Sequence, residues 1–180
     1  MLNPQELLFT VDKNNNPIEP QPRDKVHKEG IWHRTSHIWV MNQSGNILTQ
    51  QRSLKKDTSP GKWEPFFGGH IPPNKSYIES AIEELNEELG LQANEQDLTF
   101  ITEFKNNRGK EFTHVFLYYQ DIDIDQIKIE EDEIEKIVWN DIQTIHEQVA
   151  DPAKYNLSII GYEQEVLTFI ENFLTRKNKG

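Results

Sequence analysis

The stretch GGHIPPNKSYIESAIEELNEELGL, from Gly68 to Leu91, constrains the fold more than any other part of the 180-residue chain. Ser76 followed three residues later by Glu79 forms a capping box, and Gly90 suits the left-handed position just past a helix end. These signals predict a helix from about Tyr77 to Leu89. Its apolar residues recur at helical spacing and predict one face directed at a core: Ile78, Ala81, Ile82, Leu85 and Leu89.

The last thirteen residues of this segment, from Glu79 to Leu91, carry five glutamates and no basic residue. Glutamates three or four positions apart on a helix repel each other by about 0.2–0.5 kcal/mol per pair. Glu84, Glu87 and Glu88 fall on a face separate from the apolar stripe. Clustered carboxylates suit Mg²⁺ or Mn²⁺, and a bound divalent cation would turn the repulsion into coordination. The alternative interpretation is a solvated acidic face.

Apolar runs and turn signals predict further elements on both sides of this helix. The predicted strands are a hairpin (Ile38 to Met41, a turn from Asn42 to Asn46, Ile47 to Arg52), an aromatic strand in GKWEPFFGGH, and runs at Leu98 to Lys105, His114 to Tyr119 and Ile134 to Trp139. Two more helices are predicted, at about Asp141 to Val149 and in YEQEVLTFIENFLTRK, whose apolar face is expected to pack on the core.

Strands interspersed with a few helices predict an α/β domain with a mixed sheet. The length suits a single domain over residues 1–180: an N-terminal strand-and-turn extension at 1–30, a core at 31–150 and a C-terminal helix at 160–177.

Composition and charge exclude several classes of protein. The net charge of −11, without a basic stripe, argues against binding a nucleic-acid polymer. The chain has no cysteine, which excludes disulfides, thiolate metal sites and a cysteine nucleophile. The start, MLNPQELLFTVDKNNN, lacks the pattern of a secretory signal, and no apolar run is long enough to span a membrane. We therefore expect a cytoplasmic protein.

At the acidic helix the sequence resembles the Nudix hydrolase family. That family's signature runs Gly, five residues, Glu, seven residues, Arg-Glu, an aliphatic, any residue, Glu-Glu, any residue, Gly, an aliphatic. Two positions depart from it, because Lys75 stands where the family has Glu and Glu83 stands where it has Arg. Both departures reverse the charge, so we hypothesise that the two residues form a swapped pair. The positions that match in register are Gly69, Glu84, Leu85, Glu87, Glu88, Gly90 and Leu91.

Residues 26–70 are similar to the Nudix branch related to type 1 isopentenyl diphosphate isomerase, with PGKW ahead of Gly-Gly-His. The resemblance implies an α/β/α sandwich with a mixed sheet. The isomerase uses a cysteine just before its Gly-His, where this chain has Gly68, so isomerase chemistry is not expected in its usual form. The isomerase's second metal site needs several histidines and two acids. His33, His70 and Glu111 match it, but Gly109 stands at the other acid position, which predicts an incomplete site.

The resemblance implies Mg²⁺-dependent hydrolysis of a diphosphate joined to another group X, in a small nucleotide or another diphosphate compound. Glu84, Glu87 and Glu88 would hold the metal, with a backbone carbonyl near Gly68 as an extra ligand and Mn²⁺ as a possible substitute for Mg²⁺. The base that takes the proton from the attacking water would be Glu84, Glu87 or Glu133. For Glu133 a solvated acidic turn is the alternative.

The remaining candidates concern the substrate. Arg52 is a candidate phosphate contact, with a surface ion pair as the alternative. His33, Arg34 and His37 border the predicted cleft in either a structural or a chemical role, and Trp63 either stacks on a base or fills the core. His114, inside a strand, is expected to be a packed histidine.

Two other functions remain open. One is a weakly active or non-catalytic ligand-binding or sensor protein on the same scaffold, and the other is isomerase-like activity. Many relatives in the family are dimers, so a homodimer is also possible.

Overall fold

The computed structural model describes residues 6–177. The predicted domain, 1–180, therefore begins and ends at residues outside the described ones. The predicted N-terminal extension, 1–30, begins outside them. The described strands are β1 (Leu7–Leu8), β2 (Gln21–Pro22), β3 (His33–Met41), β4 (Ile47–Arg52), β5 (Trp63–Glu64), β6 (Phe67–His70), β7 (Leu98–Asn106), β8 (Glu111–Tyr119) and β9 (Ile134–Asn140). The described helices are α1 (Arg23–Glu29), α2 (Tyr77–Leu89), α3 (Ile142–Ala150) and α4 (Glu163–Lys177), with short 3₁₀ turns at Glu95–Asp97 and Ile124–Gln126.

A mixed seven-stranded sheet is organised around β3. This strand runs parallel to β8 along its whole length, from the His33–Glu111 pair to the Met41–Tyr119 pair. On its other edge it pairs antiparallel with β6. β7 continues the sheet beyond β8, while β4 carries both β5 and β9. The predicted mixed sheet is confirmed.

The predicted hairpin is correct in its turn and wrong in its pairing. The turn is closed by Asn42, whose side-chain oxygen accepts a hydrogen bond from the Asn46 amide at 2.9 Å. Beyond the turn, β3 and β4 pair only at Met41 and Ile47. A strand has two hydrogen-bonding edges, and those of β3 are taken by β8 and β6, so β4 turns away and pairs with β9 instead.

The aromatic strand predicted in GKWEPFFGGH is two short strands, β5 and β6. The break falls at Pro65, which has no N–H to donate to a sheet ladder.

Along the central strands, successive side chains point to opposite faces of the sheet, and they build two cores, one on each face. In β3, Ile38 and Val40 pack with the apolar face of α2. Trp39 and Met41, on the opposite face, pack with α3 and α4. One helix on one face and two on the other give the α/β/α sandwich that the sequence predicted.

The long helices begin and end within three residues of the predicted boundaries, and α2 and α3 have the predicted caps. The Ser76 hydroxyl accepts a hydrogen bond from the Glu79 amide at the start of α2, and Gly90 ends the helix with a φ of 67°. Asp141 caps α3 through the Thr144 amide at 2.7 Å. On α4, Val166 and Ile170 are fully buried, as expected for a core-packing helix.

Helix α1 was not predicted, because the proline-rich segment before it indicated extended chain. It begins immediately after Pro22 and brings Arg23 to a cleft beside α2 and His27 beside His33 and His70. Within residues 6–177, no helix combines the length and the apolar character needed to cross a bilayer.

Candidate active site

An open cleft of about 1220 Å³ lies beside α2 and β6. It is bordered by the loop between β4 and β5, the turn between β7 and β8, and the segment between α3 and α4. Six predicted site residues line this cleft together: Arg52, Gly68, Glu84, Glu87, Glu88 and Glu133. The fold thus brings together most of the residues that the sequence suggested.

The acidic face of α2 lies close to the two glycines of β6. The Gly68 amide donates a hydrogen bond to Glu88 Oε2 at 3.0 Å, and Glu88 is only 7% exposed. A Cβ atom on Gly69 would lie 2.4 Å from Glu84 Oε1, so a larger residue there would displace that carboxylate. Residue 69 must therefore be glycine for Glu84 to keep this position.

The α2 carboxylates are crowded in a poorly solvated place. Burial, with Glu87 and Glu133 nearby, raises the pKa of Glu84 to about 8. Burial and the neighbouring Glu84 raise the pKa of Glu88 well above its usual value, although the Gly68 hydrogen bond opposes this. The cluster offers only oxygen donors, which suit a hard divalent cation such as Mg²⁺. A bound cation would oppose the effect of burial and favour the ionised carboxylates.

Basic side chains line the same cleft and are held by acidic partners. Lys56 forms an ion pair with Glu133 through a short contact, and its side chain is only 13% exposed. Arg52 contacts Glu64 Oε2 at 3.0 Å and the Thr58 carbonyl at 3.1 Å. Arg52 therefore lines the cleft, where a phosphate contact stays a prediction, and its ion pair is with a buried partner and not at the surface.

Sequence reasoning missed several residues that line the cleft. Glu6, Arg23, Lys62, Glu64, Arg108 and Glu130 also line it. They come from short elements and loops that carry no periodicity, so no sequence signal indicated that they would meet.

At one end of the cleft three histidines form a cluster. Ligand atoms of His27, His33 and His70 lie within 4.8 Å of one another, and the two Nε2 atoms of His27 and His70 are 3.1 Å apart. Glu111 Oε1 lies 3.8 Å from His33 Nε2, a buried atom without a hydrogen-bond partner. Burial lowers the pKa of all three histidines, which keeps their nitrogens available as ligands. Nitrogen donors of this kind suit transition-metal ions.

This cluster changes the interpretation of the isomerase-like metal site. His33 and His70 were expected there, but His27 was not, because α1 was not predicted. A Cβ on Gly109 would lie 2.6 Å from Glu111 Oε2, so Gly109 stands directly beside the one acid. Three histidines and Glu111 therefore come together, while the second acid of the isomerase pattern is absent from position 109.

Three of the residues suggested for the substrate do not line the cleft. In β5, Glu64 lines the cleft, so the adjacent Trp63 points to the other side, where Lys136 lies 5.1 Å from its ring centre. In β3, Thr35 and His37 line the cleft and Arg34 points away. His33 is buried in the histidine cluster and does not line the cleft.

The residues on the far side of the sheet have structural partners. The Arg34 guanidinium stacks on Phe9 at 4.3 Å and binds Asn15 through its Nε at 2.8 Å. His114 stacks on Tyr77 with ring centres 3.6 Å apart, as expected for a packed histidine.

Comparison with known proteins gives one family. A NUDIX domain model matches residues 31–158. A Nudix hydrolase of uncharacterised function from Clostridium acetobutylicum is 31% identical over 150 residues, which are 78% of this chain and 72% of that protein. An isopentenyl-diphosphate Delta-isomerase from Serratia proteamaculans is 29% identical over 157 residues, which are 84% and 86% of the two chains. A crystal structure from Deinococcus radiodurans has a similar fold, with a TM-score of 0.72 at 17% identity, covering 92% of this chain and 99% of the other.

Proposed function

The chain belongs to the NUDIX domain family, and from that premise we propose that it is a Mg²⁺-dependent hydrolase of a diphosphate linked to another group X. The observation that carries the proposal is the convergence of Glu84, Glu87 and Glu88 with the Gly68-Gly69 turn in one cleft. The similar Nudix hydrolase supports hydrolysis as the reaction type. Small nucleotides and other diphosphate compounds are both candidate substrates.

Each part of the cleft has a role in such a reaction. Glu84, Glu87 and Glu88 would hold Mg²⁺, or Mn²⁺ in its place, with the Gly68 carbonyl as a further ligand. The bound cation would neutralise phosphate charge and lower the pKa of a water molecule. Arg52, on the cleft wall, would orient the phosphate oxygens. Positioning and charge neutralisation of this kind account for most of the catalysis in phosphoryl transfer.

The proton of the attacking water would pass to a carboxylate oxygen of Glu84, Glu87 or Glu133. Glu87 is exposed in the cleft. Glu133 is held in place by Lys56 and by the β4–β5 loop, because the Ser53 amide donates to the Glu133 carbonyl at 2.8 Å. A base needs a fixed position within hydrogen-bond reach of the water, which favours testing Glu133 as well as the helix glutamates.

A panel of nucleoside and non-nucleoside diphosphates, assayed for phosphate or monophosphate release with and without Mg²⁺, tests the proposal. We expect Mg²⁺-dependent release from at least one compound, and a loss of about a hundredfold or more in Glu87→Gln. Glu79→Gln is the matched control on the same helix, because glutamine preserves the capping box and position 79 lies outside the cleft. Equal rates in Glu87→Gln and the unmodified protein would refute the assignment.

Two other functions would give different results, one of them in a separate assay. Binding of a diphosphate without turnover would indicate a sensor or ligand-binding protein, an alternative that rests on Lys75 and Glu83 in the signature. Conversion of isopentenyl diphosphate to an allylic diphosphate, followed by NMR, would indicate an isomerase. The histidine cluster favours this second candidate, while the lack of any cysteine counts against it.

A further inference from the structure

The two ring nitrogens of His37 have different surroundings. Nδ1 lies 2.5 Å from the hydroxyl of Tyr162, a fully buried residue just before α4. Nε2 has no hydrogen-bond partner within residues 6–177, and it is not sealed from solvent there. Because His37 lines the cleft, Nε2 is the nitrogen through which this ring can meet a ligand.

The His37 ring is held in one orientation. It stacks on Phe66 with ring centres 4.3 Å apart and planes at 15°. Only 8% of the residue is exposed, and the bond to Tyr162 fixes the edge of the ring that faces the core. Rotation of the ring would break that bond, so Nε2 keeps a fixed direction.

The bond between His37 and Tyr162 also decides which nitrogen carries the proton. Within residues 6–177, His37 Nδ1 is the acceptor that the structure provides for the Tyr162 hydroxyl. The indole N–H of Trp39 acts on the same hydroxyl, but it can only donate. A buried hydroxyl without an acceptor is costly, so the Tyr162 O–H donates to Nδ1. The single proton of the neutral His37 ring is therefore on Nε2.

This arrangement makes His37 a hydrogen-bond donor and not a base. Burial, with the charge of Arg52 nearby, lowers the pKa of His37 to about 3. The ring therefore stays neutral at physiological pH and does not accept a second proton. Its Nε2–H can still donate to an oxygen atom of a ligand, and it does so in a place with little water, where a hydrogen bond is stronger.

The Nε2–H group lies beside the position proposed for the diphosphate. His37 pairs with Gly68 across β3 and β6, and the Gly68 amide binds Glu88. Neighbouring strands are about 4.8 Å apart, so His37 is one strand from the proposed metal ligands. A bound diphosphate would bring several oxygen atoms into this part of the cleft, and charged oxygens accept the strongest hydrogen bonds.

We infer that His37 is a substrate-binding residue whose Nε2–H donates a hydrogen bond to an oxygen atom of the substrate, and that Tyr162 is the positioning residue that holds this tautomer. The inference rests on the proposed function for the presence of a diphosphate in the cleft. The acceptor is a phosphoryl oxygen or an oxygen atom of X, which offer the same chemistry to an N–H donor. His37 thus contributes to binding and takes no proton from the attacking water.

Calorimetry in Mg²⁺ buffer with two non-hydrolysable compounds tests the inference without turnover. Methylenediphosphonate has only phosphonate oxygens, whereas α,β-methylene-ADP adds a nucleoside as X. The double variant His37→Phe with Tyr162→Phe removes both partners of the buried hydrogen bond and keeps both rings. We expect it to bind about tenfold more weakly. A loss with both compounds supports a phosphoryl acceptor, and a loss with α,β-methylene-ADP alone supports an acceptor in X.

Two further variants separate hydrogen bonding from packing. His37→Gln should bind within about threefold of the unmodified protein, because its amide offers an oxygen to Tyr162 and an N–H group to the cleft. His114→Phe is the matched control and should bind normally. His114 also stacks on an aromatic ring, that of Tyr77, but lies outside the cleft. Thermal melts establish that each variant is folded.

Nitrogen NMR reports the tautomer directly. We expect a proton on Nε2 of His37 and none on Nδ1, with the signals assigned from their absence in His37→Gln. A proton on Nδ1 would overturn the inference, and so would equal affinities of the double variant and the unmodified protein. If the double variant does not fold, the Nε2 signal decides, because a shift on adding either compound supports the inference and no shift overturns it.

The same measurements separate this inference from the proposed function. Binding that weakens in the double variant but needs no Mg²⁺ would overturn the proposed function and support the inference. Mg²⁺-dependent binding that the double variant retains in full would do the reverse. Absence of binding of both compounds to the unmodified protein would overturn both.

Discussion

Lys75 donates a hydrogen bond from its Nζ to Oε2 of Glu83, joining the loop before α2 to the second turn of that helix. At these two positions the Nudix signature has Glu and Arg, so the chain carries an ion pair with both charges exchanged. The contact agrees with the swapped-pair hypothesis made from the sequence. It also places a cation beside one of the five glutamates of α2, which reduces the repulsion along the helix.

Replacing Lys75 with glutamate should destabilise the protein slightly. The substitution brings two acids together where an ion pair existed, and both partners are partly exposed, so we expect a loss of about 0.5–1 kcal/mol in the free energy of unfolding. Denaturant titration at low salt measures the effect. The hydrolysis rate should fall or stay equal, and a rise in activity in Lys75→Glu would contradict the compensation hypothesis.

The double variant Lys75→Glu with Glu83→Arg restores the charges of the family signature. We expect it to recover most of the stability that the single Lys75→Glu substitution loses. A double-mutant cycle gives the coupling energy between the two positions. A coupling energy of zero would show that the contact contributes nothing to stability.

The substitution Gly69→Ala should reduce metal binding more than stability. The new methyl group would lie 2.4 Å from Glu84 Oε1, the end of a flexible side chain that can move away from β6. We expect a fall of about tenfold or more in Mg²⁺-dependent activity, with a melting temperature close to that of the unmodified protein. An unchanged requirement for Mg²⁺ together with full activity would argue against a role for Glu84 at this position.

His37 should make stability depend on pH on the acid side of neutrality. Its folded-state pKa, about 3, lies below the ordinary value of 6.5, so the folded protein binds this proton less readily than the unfolded chain. The contribution of His37 to the free energy of unfolding is complete above pH 6.5. It is lost as the pH falls toward 3, by up to about 1.4 kcal/mol per pH unit. The His37→Gln variant should lack this pH-dependent contribution. Its difference in unfolding free energy from the unmodified protein should therefore shrink between pH 7.5 and pH 5, and a constant difference would contradict the prediction.

The histidine cluster should bind a transition-metal ion independently of the α2 carboxylates. With Mg²⁺ in excess to saturate the carboxylates, titration with Zn²⁺ should show about one equivalent bound through His27, His33 and His70. His70→Ala should abolish this binding. His146→Ala serves as the control, because His146 pairs with Glu171 on the distant surface of α3 and α4. Equal Zn²⁺ binding by the unmodified protein and His70→Ala would refute the site.

Agreement between sequence and structure is closest at α2. Its capping box, its terminal glycine and its apolar stripe all lie within about fifteen residues, and the structure has the predicted boundaries. The same local pattern placed Glu84, Glu87 and Glu88 in one cleft. Trp63 and Arg34 do not line the cleft, because one residue of offset along a strand moves a side chain to the opposite face of the sheet. For both residues the sequence had left a structural role open.

The sequence by itself determined the longer helices, most strand positions and the acidic face, because caps and hydrophobic periodicity are properties of neighbouring residues. Only the tertiary structure decided that β4 pairs with β9, that α1 brings His27 to His33 and His70, and that Tyr162 binds His37 beside the proposed substrate cleft. These contacts join residues far apart in the chain. They depend on which strands compete for each free edge and on how loops close over the sheet, and no local pattern encodes the outcome of that competition.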